Sequence, residues 1–253
     1  MNKKRKRLAT IIKLILEFIT FIIMIRQLYL HNWFLAFTCL YTIIIMGIPR
    51  LIDKKYKIRF PSTLEILIYA FTFCAEILGE IGEYYVTISW WDDLLHIISG
   101  FGFTGVGVFF IELLNNSRGK YFSLSPFYVA VASFCFAITI LTLWEFFEYG
   151  MDTFAKTDMQ KDTIINEIHS VGLNEDKKNK VVDVKIESLI INGEDYIEKY
   201  GGYIDIGLHD TMIDLIDGFI GSSIFSIFVY FYIKRKDEKS FVTGFIPKLG
   251  EGV

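Results

Sequence analysis

Only three cysteines occur in this chain, Cys39, Cys74 and Cys135, and none has a close partner or a metal-ligand spacing. That excludes a disulfide framework and leaves them as small packing residues within apolar runs. A phosphate-cradling glycine loop, a dinucleotide fingerprint, a nucleophile elbow and a zinc-finger spacing are all missing, so the common signatures of soluble catalysis do not apply. A surplus of positive charge is missing too. The formal net charge is -3, and the basic residues cluster beside apolar runs, where topology accounts for them and nucleic-acid binding is not supported.

What is present in excess is apolar sequence. Hydrophobic residues make up 53% of the 253 positions and aromatics 17%, with a mean hydropathy of +0.40. Those values, gathered in long runs, define an integral membrane protein. The runs extend from Leu8 to Ile25, Trp33 to Ile48, Thr63 to Ile81, Leu94 to Leu114, Pro126 to about Phe147, and about Thr211 to Ile233. The expected fold is an all-α integral membrane protein with six transmembrane helices and a small β-rich extracytoplasmic insertion between helices five and six. Helices one to five occupy 8-149, the insertion 150-208, helix six 209-233 and a cytoplasmic tail 234-253.

Orientation follows from charge. Lys3, Lys4, Arg5, Lys6 and Arg7 precede the first run; Arg50, Lys54, Lys55, Lys57 and Arg59 follow the second; Arg118 and Lys120 follow the fourth; Lys234, Arg235 and Lys236 follow the sixth. An even number of spans puts all of these on one side, so both termini are expected in the cytoplasm of a bacterial cell, the protein lying in its cytoplasmic membrane. Trp33, Trp90, Trp91 and Trp144 fall at the opposite ends of the runs, where indoles anchor at an interface, and Trp91 and Trp144 are also expected to wall a site. Inside the first run Lys13 and Glu17 are spaced to neutralise one another.

The insertion carries seven lysines and twelve acidic residues by count. Val181 to Ile191 partly alternates and suits a strand, Asn192-Gly193 is a turn signal, and Tyr196 to Ile206 is expected to return as one or two strands.

Carboxylates collect at the outer ends of the runs. Glu76, Glu80 and Glu83 end the third; Asp92, Asp93 and His96 begin the fourth; Glu145 and Glu148 end the fifth; His209, Asp210, Asp214 and Asp217 begin the sixth. Ten such groups cannot all be buried, ionised and unpaired, so they must face water, share protons or surround a cation. The expected metal ligands are Asp92, His96, Glu145, Glu148, Asp210 and Asp214, with Asp92, His96, Glu148 and Asp214 as the catalytic candidates. Carboxylates suit magnesium, calcium or manganese, and the histidines keep zinc or iron open. Asp92 and Asp210 also suit helix N-caps, the bland alternative. Gly100, Thr104, Gly107, Gly218 and Ser222 supply the small faces needed for close helix approach.

Three functions remain open on this reading. One is an outward-facing divalent-metal enzyme acting on a lipid or envelope substrate, one a proton- or cation-coupled transporter, and one a non-catalytic structural or sensing protein of the envelope. The ordered set Trp91-Asp92-Asp93 with His96 and Gly100, Trp144-Glu145 with Glu148, Asp158-x-Gln160, and Asp210-Thr211 with Asp214 and Gly221 resembles the YjdF-like bacterial inner-membrane proteins. The resemblance covers about residues 63 to 233 and implies a shared membrane core in a family without an assigned biochemical role. The long segment between Gln160 and His209, and Asp217, depart from that pattern.

Overall fold

The computed structural model describes residues 3-116, 124-205 and 207-250. Helix α1 runs Lys3–Tyr29, α2 Trp33–Tyr56, α3 Ser62–Thr72, α4 Tyr84–Thr87, α5 Trp91–Asn116, α6 Pro126–Gly150, α7 Tyr196–Tyr200 and α8 Leu208–Arg235. Among the described residues five helices are long and apolar enough to cross a membrane: α1, α2, α5, α6 and α8. The third expected span is divided. Helix α3 passes directly into a π-helical segment, Phe73–Ile81, whose wider turn changes the face on which successive side chains emerge. The linker bearing Arg118 and Lys120 lies outside the described residues.

The chain divides into two compact units, residues 1-141 with 215-253, and residues 142-214. The first is organised as a protein in lipid must be. Leu14, Phe18 and Ile22 on α1 and Phe34 and Phe37 on α2 are exposed, while Lys13, Thr20, Gln27 and Thr42 are buried. Polar side chains therefore turn inward and satisfy one another. Lys13 Nζ lies 2.9 Å from Glu17 Oε1, the neutralising pair expected from their spacing, and Thr20 and Thr42 donate to carbonyls four residues back. Such back-bonding gives a threonine hydroxyl a partner within its own helix.

Glycines let α5 and α8 touch. A Cβ added at Gly100 would meet Ser222 Oγ at 2.9 Å, and one at Gly221 would collide with the Ile97 carbonyl. Ser222 Oγ donates to the Gly100 carbonyl at 3.2 Å. Gly107 instead meets Ser133 of α6, so one helix presents small residues to two neighbours. Of the cysteines, Cys39 is buried, Cys74 half-buried and Cys135 exposed, and all are free thiols.

After α8 the chain folds back rather than trailing away. Val242 and Ile246 are buried with Val108, Phe109, Val129, Ala130, Phe225 and Val229 in one apolar cluster. Phe245 packs against Phe101 and Phe225, with ring centroids at 5.2 and 5.5 Å. Two short strands close this end antiparallel, β1 (Ile58–Arg59) on β8 (Lys248–Leu249).

The second unit contains the expected β-rich region between two C-terminal helices, in smaller pieces than the sequence suggests. Strands β2 (Thr163–Ile165) and β7 (Tyr203–Asp205) pair, as do β3 (Glu167–Ser170) and β4 (Val182–Lys185), and β5 (Ile190–Ile191) and β6 (Glu194–Asp195). The last pair is the hairpin signalled by Asn192-Gly193, whose φ angles of 53° and 87° are those of the tight turn that joins two twisted strands. The strand expected over Val181 to Ile191 is broken between β4 and β5. Of the stretch expected to return as strands, Ile206 lies outside the described residues and 196-205 supply one strand, because Asp195 accepts from Ile197 N at 2.9 Å and caps α7, which ends at left-handed Gly201. A short polar side chain at the cap competed successfully with strand propensity.

Candidate metal centre

Glu145 and Glu148 sit three residues apart near the end of α6, so they share a face, and Asp214 lies two turns into α8. All three are buried, with 3%, 7% and 2% of their surface exposed, and each offers a carboxylate oxygen within 4.8 Å of the others. Leu143, Phe146, Phe147 and Tyr149 around the glutamates, and Ile213 and Ile216 around Asp214, are exposed. The pattern is the reverse of a soluble amphipathic helix: apolar side chains face outward and acids face in.

That reversal corrects an expectation from the sequence. Acids at the ends of apolar runs suggested an outward-facing, water-accessible site, but the candidate ligand groups are buried. Position along a run gives membrane depth; the helical face decides accessibility, and here that face is internal. An enzyme on a lipid or envelope substrate and a coupled transporter both require an outward-facing site, which the burial of these groups contradicts.

The electrostatics of three carboxylates are demanding. At an effective dielectric near 20, two unit charges about 4.8 Å apart repel by about 3 kcal/mol, and three pairs triple that before desolvation is counted. Full ionisation requires a compensating cation; otherwise protons must be shared. Oxygen ligands surround magnesium or calcium at about 2.0–2.6 Å, so opposed ligands of one ion are about 4–5 Å apart. The separation within the triad fits that requirement.

Two candidate ligand groups exist among the described residues, this triad and one built on Asp92 and His96. His96 is buried, and its Nε2 lies 3.6 Å from Asp92 Oδ1 across one turn of α5. Asp92 falls inside the first turn of α5, not at its cap. Its neighbour Asp93 lies within electrostatic range of Asp217. Trp91 packs edge-on against Tyr84, with ring centroids 4.9 Å apart.

Asp210, also among the expected ligands, makes a loop contact. Its Oδ2 accepts the Lys161 backbone N–H at 2.7 Å, which ties the loop after α6 to the start of α8. The same loop is organised by Asp152, whose oxygens accept from Thr157 Oγ1 and from the Met159 and Gln160 backbone N–H groups at 2.7, 2.7 and 2.8 Å. Gln160 Nε2 in turn donates to Thr211 Oγ1. In the sequence Asp152 is one acid of an acidic segment, and its one signal is its place just past an apolar run, ahead of the Asp158-x-Gln160 motif. Trp144 Nε1 donates to Glu148 Oε1 at 2.8 Å, fixing that carboxylate and giving the tryptophan a part in the site.

Helices of this length and polarity, with acids turned inward, define a multi-pass membrane protein carrying a carboxylate-rich candidate metal site. The chain belongs to the family described as Predicted membrane protein (DUF2238), whose model matches residues 8–235. No curated protein and no solved structure matches it.

Proposed function

We propose that this protein is a multi-pass membrane metal-binding protein, holding a divalent cation on Glu145, Glu148 and Asp214, with Asp92 and His96 as a second ligand group. The observation that carries the reading is the burial of three carboxylates with donor oxygens within 4.8 Å. A cation removes the mutual repulsion that the protein would otherwise meet by protonation. Hard oxygen donors favour magnesium, calcium or manganese. Trp144 fixes Glu148, and the Asp152 and Asp210 loop contacts hold the segment joining α6 to α8.

The proposed topology has six crossings, α3 and its π-helical continuation forming the third. Both termini lie in the cytoplasm of a bacterial inner membrane and the β-rich region lies outside. The support is the gathering of Lys3–Arg7, Arg50–Arg59 and Lys234–Lys236 at one set of ends. Within its family, the ordered Trp-Asp-Asp, Trp-Glu and Asp-Thr motifs favour a YjdF-like member.

Elemental analysis of protein purified in detergent, followed by titration with magnesium, calcium, manganese, iron and zinc, tests the reading. Stoichiometric binding that Glu148→Gln and Asp214→Asn each weaken supports it. Failure of every one of these ions to bind in native-like lipid would reject it.

A further inference from the structure

A separate cavity lies at the end of the first unit where α1 and α3 begin and the chain leaves α8. Its volume is about 310 Å³, and its walls include Arg5, Thr63, Lys239, Ser240, Phe241 and Phe245. That is the small end of the range for ligand pockets, about 300–1,000 Å³, and suits a headgroup rather than a whole lipid.

The walls supply hydrogen-bond donors. Arg5 and Lys239 bring two positive charges from opposite ends of the chain, and both are exposed. Ser240 Oγ accepts from Val242 N at 3.4 Å, which leaves its O–H to donate. Thr243 Oγ1 spends its hydrogen on the Ser240 carbonyl at 2.8 Å, so it is not counted. A guanidinium, an ammonium and a serine hydroxyl converging on one hollow, with no acid in its lining, match the oxygens of a phosphate group.

Location favours a lipid as the phosphate's source. Arg5 stands one turn before the apolar run that begins at Leu8, Thr63 lies in the first turn of α3, and Lys239 follows the basic end of α8 at Lys234–Lys236. These are the ends of apolar helices, where lipid headgroups lie. Phe241, 52% exposed, offers an apolar surface beside the charges. The tail is held there by Val242 and Ile246, whose burial in the core explains why it folds back.

We infer that this pocket binds the phosphate of an anionic membrane phospholipid. Basic pockets between helices on the cytoplasmic side are suited to such headgroups, each Lys or Arg near the surface adding to the attraction. Removing both charges should therefore weaken binding about thirtyfold.

Native mass spectrometry of the full chain in detergent, with added phosphatidylglycerol or phosphatidylcholine, tests the inference. Wild type should retain phosphatidylglycerol preferentially, and Arg5→Gln/Lys239→Gln should lose that preference. Both side chains are on the surface, so folding is not at stake; an unchanged gel-filtration profile checks this. Lys54→Gln/Lys55→Gln removes two charges outside the pocket and should retain the lipid. Inorganic phosphate that fails to displace it supports a lipid source. Phosphate that itself binds with the same Arg5 and Lys239 dependence, without lipid retention, overturns the lipid assignment. Equal retention of the two lipids, undiminished retention by the pocket variant, or equal loss in the Lys54/Lys55 control would also overturn it.

Discussion

Gly221→Ala should destabilise the protein although it adds a single methyl group. The position lies where α8 meets α5, and the new Cβ would collide with the Ile97 carbonyl, a backbone atom that cannot swing aside. Overpacking of this kind costs about 1–3 kcal/mol, while alanine in a helix interior returns about 0.5–1 kcal/mol relative to glycine. The net loss is about 1–2 kcal/mol, which for a chain of this size lowers Tm by about 2–8 °C. Gly47 on α2 is the control, because nothing lies within 4 Å of its Cβ position. Gly47→Ala should leave Tm unchanged or raise it by a few degrees. Thermal unfolding in detergent, followed by tryptophan fluorescence, reads both variants. If Gly221→Ala is as stable as wild type, or if the two variants fall together, the close approach of α5 and α8 is wrong.

Three further outcomes follow from other parts of the chain. Lys13→Met leaves Glu17 beside an apolar side chain and should cost up to about 3 kcal/mol, discounted because Glu17 is 22% exposed; Lys13→Met/Glu17→Leu should recover most of that loss in the same unfolding assay. His169 Nδ1 lies 2.7 Å from Asp183 Oδ1, and this hydrogen bond raises its pKa above the ordinary 6.5. A raised folded-state pKa contributes stability that is fully present below pH 6.5 and lost as pH rises through the folded value. NMR titration should therefore show a midpoint above 6.5 that Asp183→Asn moves down, and an unshifted midpoint in wild type would count against the pairing. Asp195→Ala removes the α7 cap and should cost about 1 kcal/mol locally, seen as faster amide exchange at Ile197; unchanged exchange would show that the cap contributes nothing.

Some of this architecture was legible because one physical cause dominated each feature. Long apolar runs with basic ends can be read directly, as can the Lys13–Glu17 spacing and the Asn192-Gly193 turn, since hydrocarbon and backbone sterics leave few alternatives. The meeting of Glu145 and Glu148 is also local, being fixed by helical spacing. Burial was not legible. The same glutamates at the same depth could face water or protein, and only the arrangement of Phe146, Phe147 and Ile213 outward shows which. The π-helical segment after α3 and the return of Val242 and Ile246 into the core depend on tertiary packing, which no local pattern encodes. The roles of Asp152 and Asp210 as acceptors for a loop were hidden for another reason: a carboxylate that accepts backbone N–H groups and one that binds a cation have the same residue type.

Crystals of the full chain grown with manganese would test the central claim most directly, because the ion's anomalous scattering locates it independently of the surrounding density. The account predicts a manganese peak within coordination distance of Glu145, Glu148 and Asp214, abolished by Asp214→Asn. Manganese bound only to exposed acids of the 150-208 region, with the buried carboxylates bonded to one another through shared protons, would contradict it.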